Sequence, residues 1–187
     1  QSVNLWNELI KAAGINAAFF AFDVNPILNE NGRPASEQPN YQKFLEKVLA
    51  HPRFLVLHTT DPYKEFTYRM LKGRKDIEIS EDAESIGAVN PIIFGKNNHI
   101  YADNVDGYAM VKSMKLRINL EDKKLLCIGA GGSATAITYE ILKNGLGEDG
   151  ELIVLNRTPE RAYELGKRWD NLFKQRGLIR RKVITGG

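Results

Sequence analysis

Leu125-Leu126-Cys127-Ile128-Gly129-Ala130-Gly131-Gly132-Ser133-Ala134 is an apolar strand running into G-x-G-x-x-A and then into a helix. Each small residue has a task there. Gly129 lets the backbone turn tightly, Gly131 removes the Cβ that would block a pyrophosphate, and Ala134 lets helix and strand pack closely. The helix N-terminus then offers N–H groups and a partial positive charge to the phosphates. A glycine-rich turn alone is weak evidence. Here a strand precedes it, a helix follows and a second strand comes after, so the pattern points to a dinucleotide held by Gly129, Ala130, Gly131, Gly132 and Ser133.

The second strand, 151–155, ends at Leu155 and is followed by Asn156-Arg157-Thr158. That position normally faces the adenosine ribose, where an acidic residue would favour NAD. Asn156 and Arg157 instead offer donors and positive charge, and Arg161 lies one helical turn on, on the same face. Two guanidinium groups suit a 2′-phosphate, so the expected cofactor is NADP (NADPH).

Outward from the turn, the segments 124–129, 132–144, 151–155, 159–175 and 182–185 read strand, helix, strand, helix, strand. Three strands are only the first half of a Rossmann-type domain, so the functional polypeptide is expected to be longer than these 187 residues. Upstream, a helix over 5–13, a strand over 17–24 (AAFFAFDV), a loop over 25–39 and a helix over 41–50 are predicted. A strand at 54–58, a helix from near Asp61-Pro62, a short helix at 81–86, strands within 88–94 and 99–104, and a helix over 106–115 follow. Asn97-Asn98 marks a turn, and the polar stretch 117–123 reads as a link. The fold class is α/β: an N-terminal α/β substrate domain over 1–116 and a C-terminal Rossmann-type NADP domain over 117–187, first half only.

Composition narrows the function classes. With 43% hydrophobic and 26% charged residues the chain is an ordinary globular sequence, and no apolar run reaches the ~18 residues of a membrane span. The lone Cys127 excludes an intramolecular disulfide, and His51, His58 and His99 are too scattered for a metal site. The net charge of +3 comes wholly from residues 121–187, densest at Lys174, Arg176, Arg180, Arg181 and Lys182. Nucleic acid would call for more charge with interleaved aromatics, so a solvated face is the default reading and a small anionic ligand the alternative. No targeting segment is visible after Gln1, and cytoplasm is the default compartment.

Three blocks, in order and spacing, resemble the shikimate/quinate dehydrogenase family over nearly the whole chain. They are Thr60-x-Pro62-x-Lys64, then Ile86-Gly87-Ala88-Val89-Asn90 with Asn104-Val105-Asp106-Gly107, and finally GAGGSA with NRTxxR. The resemblance implies an N-terminal substrate domain, a C-terminal Rossmann domain, and reduction of 3-dehydroshikimate to shikimate with NADPH in aromatic amino-acid synthesis. It implies Lys64 as the catalytic lysine and Asp106 as its paired aspartate. Thr60 and Asn90 match substrate-binding positions, and Ser2 matches the second serine of the family's S-x-S-P motif, which holds the substrate carboxylate. A monomer or homodimer acting on a shikimate-like cyclic hydroxy acid is expected.

The departures bear on the substrate. His58 replaces the asparagine of N-x-T-x-P-H-K, Tyr63 its histidine, Pro91 and Val105 two threonines, and Val3 the proline after Ser2. His58 ends an apolar strand just before Thr59-Thr60, where a substrate-lining and a structural role are both open. A paralogue acting on quinate or another cyclic hydroxy acid, and a catalytically inactive nucleotide-binding homologue, are the competing readings. Reducing a ketone requires hydride delivery and a proton for the developing alkoxide, and a cleft lysine supplies the latter. Burial would lower the lysine's pKa and Asp106 would oppose that shift.

Overall fold

The computed structural model describes residues 2–51, 53–147, 149–177 and 182–186, and the chain packs as two units, 1–46 and 47–187. The first unit opens with α1 (Ser2–Ala12), which stops before Gly14, a residue at φ +67°. Such a left-handed residue ends a helix at little cost when it is glycine. The predicted strand over 17–24 is not present. Asn7 spends its amide on both backbone groups of Phe19, donating to its carbonyl at 3.0 Å and accepting from its N–H at 2.7 Å. The segment has β-forming residues but no neighbouring strand in a ladder, and Phe20 is 70% exposed. Buried Gln38 braces the loop that follows, bonding both backbone groups of Ile27 and the carbonyl of Ala35. Helix α2 (Pro39–Leu49) follows it.

The second unit holds two sheets. The first is built from β1 (Val56–His58), β2 (Ile77–Ile79), β3 (Pro91–Phe94) and β4 (Ile100–Ala102), in the order β1-β3-β4-β2. β3 is antiparallel to both neighbours, with His58 opposite Pro91, while β2 is parallel to β4. Interleaved are α3 (Lys64–Leu71), α4 (Glu81–Ile86) and α5 (Asp106–Lys115). The β3–β4 turn places Asn97 and Asn98 at φ +58° and +59°, a conformation asparagine tolerates better than most residues. β2 was not expected, since three residues are too few to show a period.

The second sheet is β5 (Lys124–Ile128), β6 (Glu151–Leu155) and β7 (Lys182–Gly186), all parallel, in the order β5-β6-β7. α6 (Gly132–Glu140), continued by a π-type turn Ile141–Gly145, and α7 (Pro159–Gln175) supply its helices. Leu152 and Val154 pack with Ala136, Tyr139, Leu142, Trp169 and Phe173 in one core. The opposite face of β5 is bare: Leu126 is 56% and Ile128 81% exposed.

Candidate active site

Three chain segments meet where the first sheet ends. Lys64 is the first residue of α3, Asp106 the first of α5, and Asn90 directly precedes β3. The Lys64 Nζ lies 2.5 Å from Asp106 Oδ2, and the Asn90 side-chain amide donates to Asp106 Oδ1 at 2.6 Å. Asn90 is fully buried, and its Oδ1 accepts from the Val105 N–H at 3.0 Å. Lys64 and Asp106 keep only 22% and 27% of their side-chain surface exposed, which makes their pairing less screened than a surface ion pair.

The segments are knitted by backbone as well. Val89 N–H donates to the Lys64 carbonyl at 3.0 Å, Asn90 N–H to Asp103 at 2.9 Å, and Thr59 N–H to Asn90 at 2.7 Å. Two buried residues that sequence reasoning did not single out as site residues hold this frame. Thr59 Oγ1 donates to the Val89 carbonyl at 2.7 Å, and the Asn104 side chain donates to the Ala88 carbonyl at 3.1 Å while accepting from Asp106 N–H at 3.3 Å. Asn104 stood inside the Asn104-Val105-Asp106-Gly107 block, which was the signal available for it.

Thr60 is exposed beside this frame, with Oγ1 donating to the Asp61 carbonyl at 3.2 Å. His58 keeps an exposed face, yet loss of water around the ring pushes its pKa below the ordinary histidine value. Asp106 opposes that shift and Lys64 reinforces it, so His58 is electrically part of the same cluster. Ser2 lies in α1 of the first unit, and its side chain is outside the described residues.

The glycine turn is a second cluster. Gly129 sits at φ +115°, a conformation side chains rarely adopt, and its N–H donates to the Leu155 carbonyl at 2.7 Å. Gly131 precedes α6, and a Cβ placed on it would meet nothing within 4 Å, so open space faces the α6 N-terminus. Asn156 ties the end of β6 to the turn: its Oδ1 accepts from Ala130 N–H at 3.2 Å and its Nδ2 donates to the Thr158 carbonyl at 2.8 Å, which leaves one N–H and one lone pair of the amide for a ligand. Arg157 and Arg161 are exposed at the start of α7, and neither has an ion-pair partner among the described residues. Open space at Gly131, helix-end N–H groups and two unspent guanidiniums fit a pyrophosphate and a further phosphate.

Of the basic cluster near the C-terminus, Arg176 is engaged by Tyr139, Ser85 and Glu81, while Arg180, Arg181 and the Lys182 side chain lie outside the described residues. Among the described residues no three His, Cys, Asp or Glu side chains could share a metal ion, and no helix is long and apolar enough to cross a membrane.

The chain is 33% identical over 159 residues to the shikimate dehydrogenase (NADP(+)) of Thermococcus kodakarensis, covering 85% of this chain and 50% of that protein. To the enzyme of the same name from Carboxydothermus hydrogenoformans it is 35% identical over 174 residues, covering 92% and 54%. The crystal structure of shikimate dehydrogenase from Aquifex aeolicus superposes with a TM-score of 0.73 at 28% identity, over 98% of this chain and 57% of that one. The chain thus spans about half the length of the curated relatives it matches. No protein-family model matches it.

Proposed function

We propose, from the premise that this chain belongs to the shikimate dehydrogenase family over the half of its relatives' length that it spans, that it serves NADP-dependent interconversion of 3-dehydroshikimate and shikimate. The observation that carries this reading is the triad of Lys64, Asp106 and Asn90, closed by contacts of 2.5 and 2.6 Å. Residues 1–116 serve the substrate and 117–187 the cofactor. The protein acts in the cytoplasm on a small cyclic hydroxy acid, as a monomer or homodimer.

Gly129–Ser133 would hold the pyrophosphate of NADPH, and Arg157 and Arg161 its 2′-phosphate, and the cofactor would supply a hydride for the substrate carbonyl carbon. The chain's own residues handle the proton. Lys64 presents an ammonium to the carbonyl oxygen, stabilises the negative charge that develops there, and hands over a proton to give the hydroxyl. Asp106 fixes the lysine's direction, and Asn90 fixes Asp106 through a bond from a fully buried amide. In this reading Thr60 and His58 would contact the substrate.

His58, where the family has asparagine, supports a second substrate reading: quinate or another cyclic hydroxy acid. Steady-state reduction of NADP⁺ with shikimate and then quinate separates the readings. Faster turnover of shikimate is expected; a preference for quinate would shift the substrate, and no turnover of either acid with intact NADP binding would make this an inactive nucleotide-binding homologue.

A further inference from the structure

Helix α4 is only six residues long, yet side chains from α6, the π-type turn and α7 all reach for it. Lys143 Nζ bonds both carboxylate oxygens of Asp82 at 2.7 and 2.8 Å, and Tyr139 Oη donates to Oδ1 of the same group at 2.8 Å. Arg168 donates to the Ser85 carbonyl at 2.6 Å. Arg176 donates to Ser85 Oγ at 2.8 Å and Tyr139 Oη at 2.9 Å, and pairs with Glu81 at 2.6 Å. Tyr139 itself is buried against Trp169 and Phe173, so this end of the clasp is anchored in the core.

Burial of Ala83 and Ile86 already gives α4 an apolar attachment. The polar contacts add direction, because they seize the helix at both ends: Glu81 and Asp82 at its start, the Ser85 carbonyl and hydroxyl at its finish. Just beyond that finish lies Gly87 at φ +73°, where an added Cβ would meet the Arg168 guanidinium at 3.2 Å. Three residues later comes Asn90, and on the way Val89 bonds the Lys64 carbonyl. The 87–90 segment thus links α4 to both residues that hold Asp106.

We infer that Asp82, Arg168 and Arg176 are positioning residues: they make α4 a strut that sets Asn90 and Lys64 in place from α6, the turn after it and α7. The inference rests on the reading of Lys64 and Asp106 as the chemical pair. None of the three touches the reacting atoms in that reading, and their effect runs through the 87–90 segment.

The test uses Asp82→Asn, which keeps the shape and removes the charge, Asp82→Glu as the conservative variant, and Arg168→Gln, which loosens the other end should Asp82→Asn fold poorly. Amide hydrogen exchange over 87–90 is measured on each, together with NADP⁺ affinity and the kcat and KM for shikimate. In Asp82→Asn, exchange at Val89 and Asn90 should quicken and kcat should fall by about 3- to 30-fold, the size of coupling carried by such networks. NADP⁺ affinity and KM should move by less than about twofold, and Asp82→Glu should recover much of kcat. A role in stability alone would lower the melting temperature of the variants and leave kcat per folded molecule untouched, and that result would overturn the inference. Unchanged exchange over 87–90 in both loosened variants would overturn it as well, whether or not the parent turns over. A parent that reduces NADP⁺ with neither acid, combined with quickened exchange in the variants, would leave the strut standing and fell the functional reading instead.

Discussion

Lys64 and Asp106 are 42 residues apart in sequence, yet their charged atoms lie 2.5 Å apart. In the proposed reaction Lys64→Ala should lower kcat by about 10²–10⁴, and Asp106→Ala comparably. Because the two act as a unit, the double variant should lose far less than the product of the single losses, and multiplicative losses would identify a different pair. Arg157 is proposed for the cofactor side. A preference for NADP over NAD of about 10- to 100-fold is expected from one or two charge-assisted bonds, and Arg157→Ala should erode it while NAD binding holds. Asn156 is bonded to Ala130 and Thr158 and carries no charge, so the charge of that preference falls to the two arginines. Sequence could show that an asparagine stood there, but not that its amide was bonded in this way, since that depends on the path of the turn. His58 adds a pH signature. Its folded-state pKa lies below the ordinary value near ~6.5, so its contribution to stability is full above that pH and is lost as pH falls towards the lowered value. The urea midpoint of the parent should therefore drop more between pH 7 and pH 5 than that of His58→Asn, and a reversed order would contradict the direction of the shift.

Elements with strong periodicity and clear punctuation were legible. Helix α5 begins at Asp106 and ends at Lys115, and α7 runs from Pro159 to Gln175, as their patterns suggest. Proline at the first turn of α7 is a ready start signal. The failures were strands, whose existence depends on a neighbour. Residues 17–24 carry the right side chains but find Asn7 rather than a ladder, whereas Ile77–Ile79 carry almost no pattern and still pair with β4. Helix contact has its own signal in Gly107. An added Cβ there would come within 2.2 Å of the Ala136 carbonyl oxygen, because α5 and α6 cross backbone to backbone. Gly107→Ala must push the helices apart, and a loss of about 1–3 kcal/mol in unfolding free energy is expected by urea titration. A stability change within about 0.5 kcal/mol would mean the crossing yields easily.

Across the molecule, the ion pairs that hold α4 were illegible for a plain reason: Asp82 and Lys143 are 61 residues apart, and neither stands in a motif. The C-terminal excess of positive charge looked like a solvated face, but Arg176 is turned inward to Tyr139 and Ser85. On β5, Leu126 and Ile128 are exposed in this chain, although parallel strands are ordinarily covered on both faces. The 187-residue chain should accordingly bind a hydrophobic dye in its native state, and Leu126→Lys with Ile128→Thr should reduce that signal without lowering the melting temperature; equal dye binding would place the apolar surface elsewhere. The crossing at Gly107 and Ala136 ties, finally, two distant starts together: the helix that opens at the glycine turn lies backbone to backbone against the helix that opens with Asp106, so a displacement of either helix start has to be absorbed by the other.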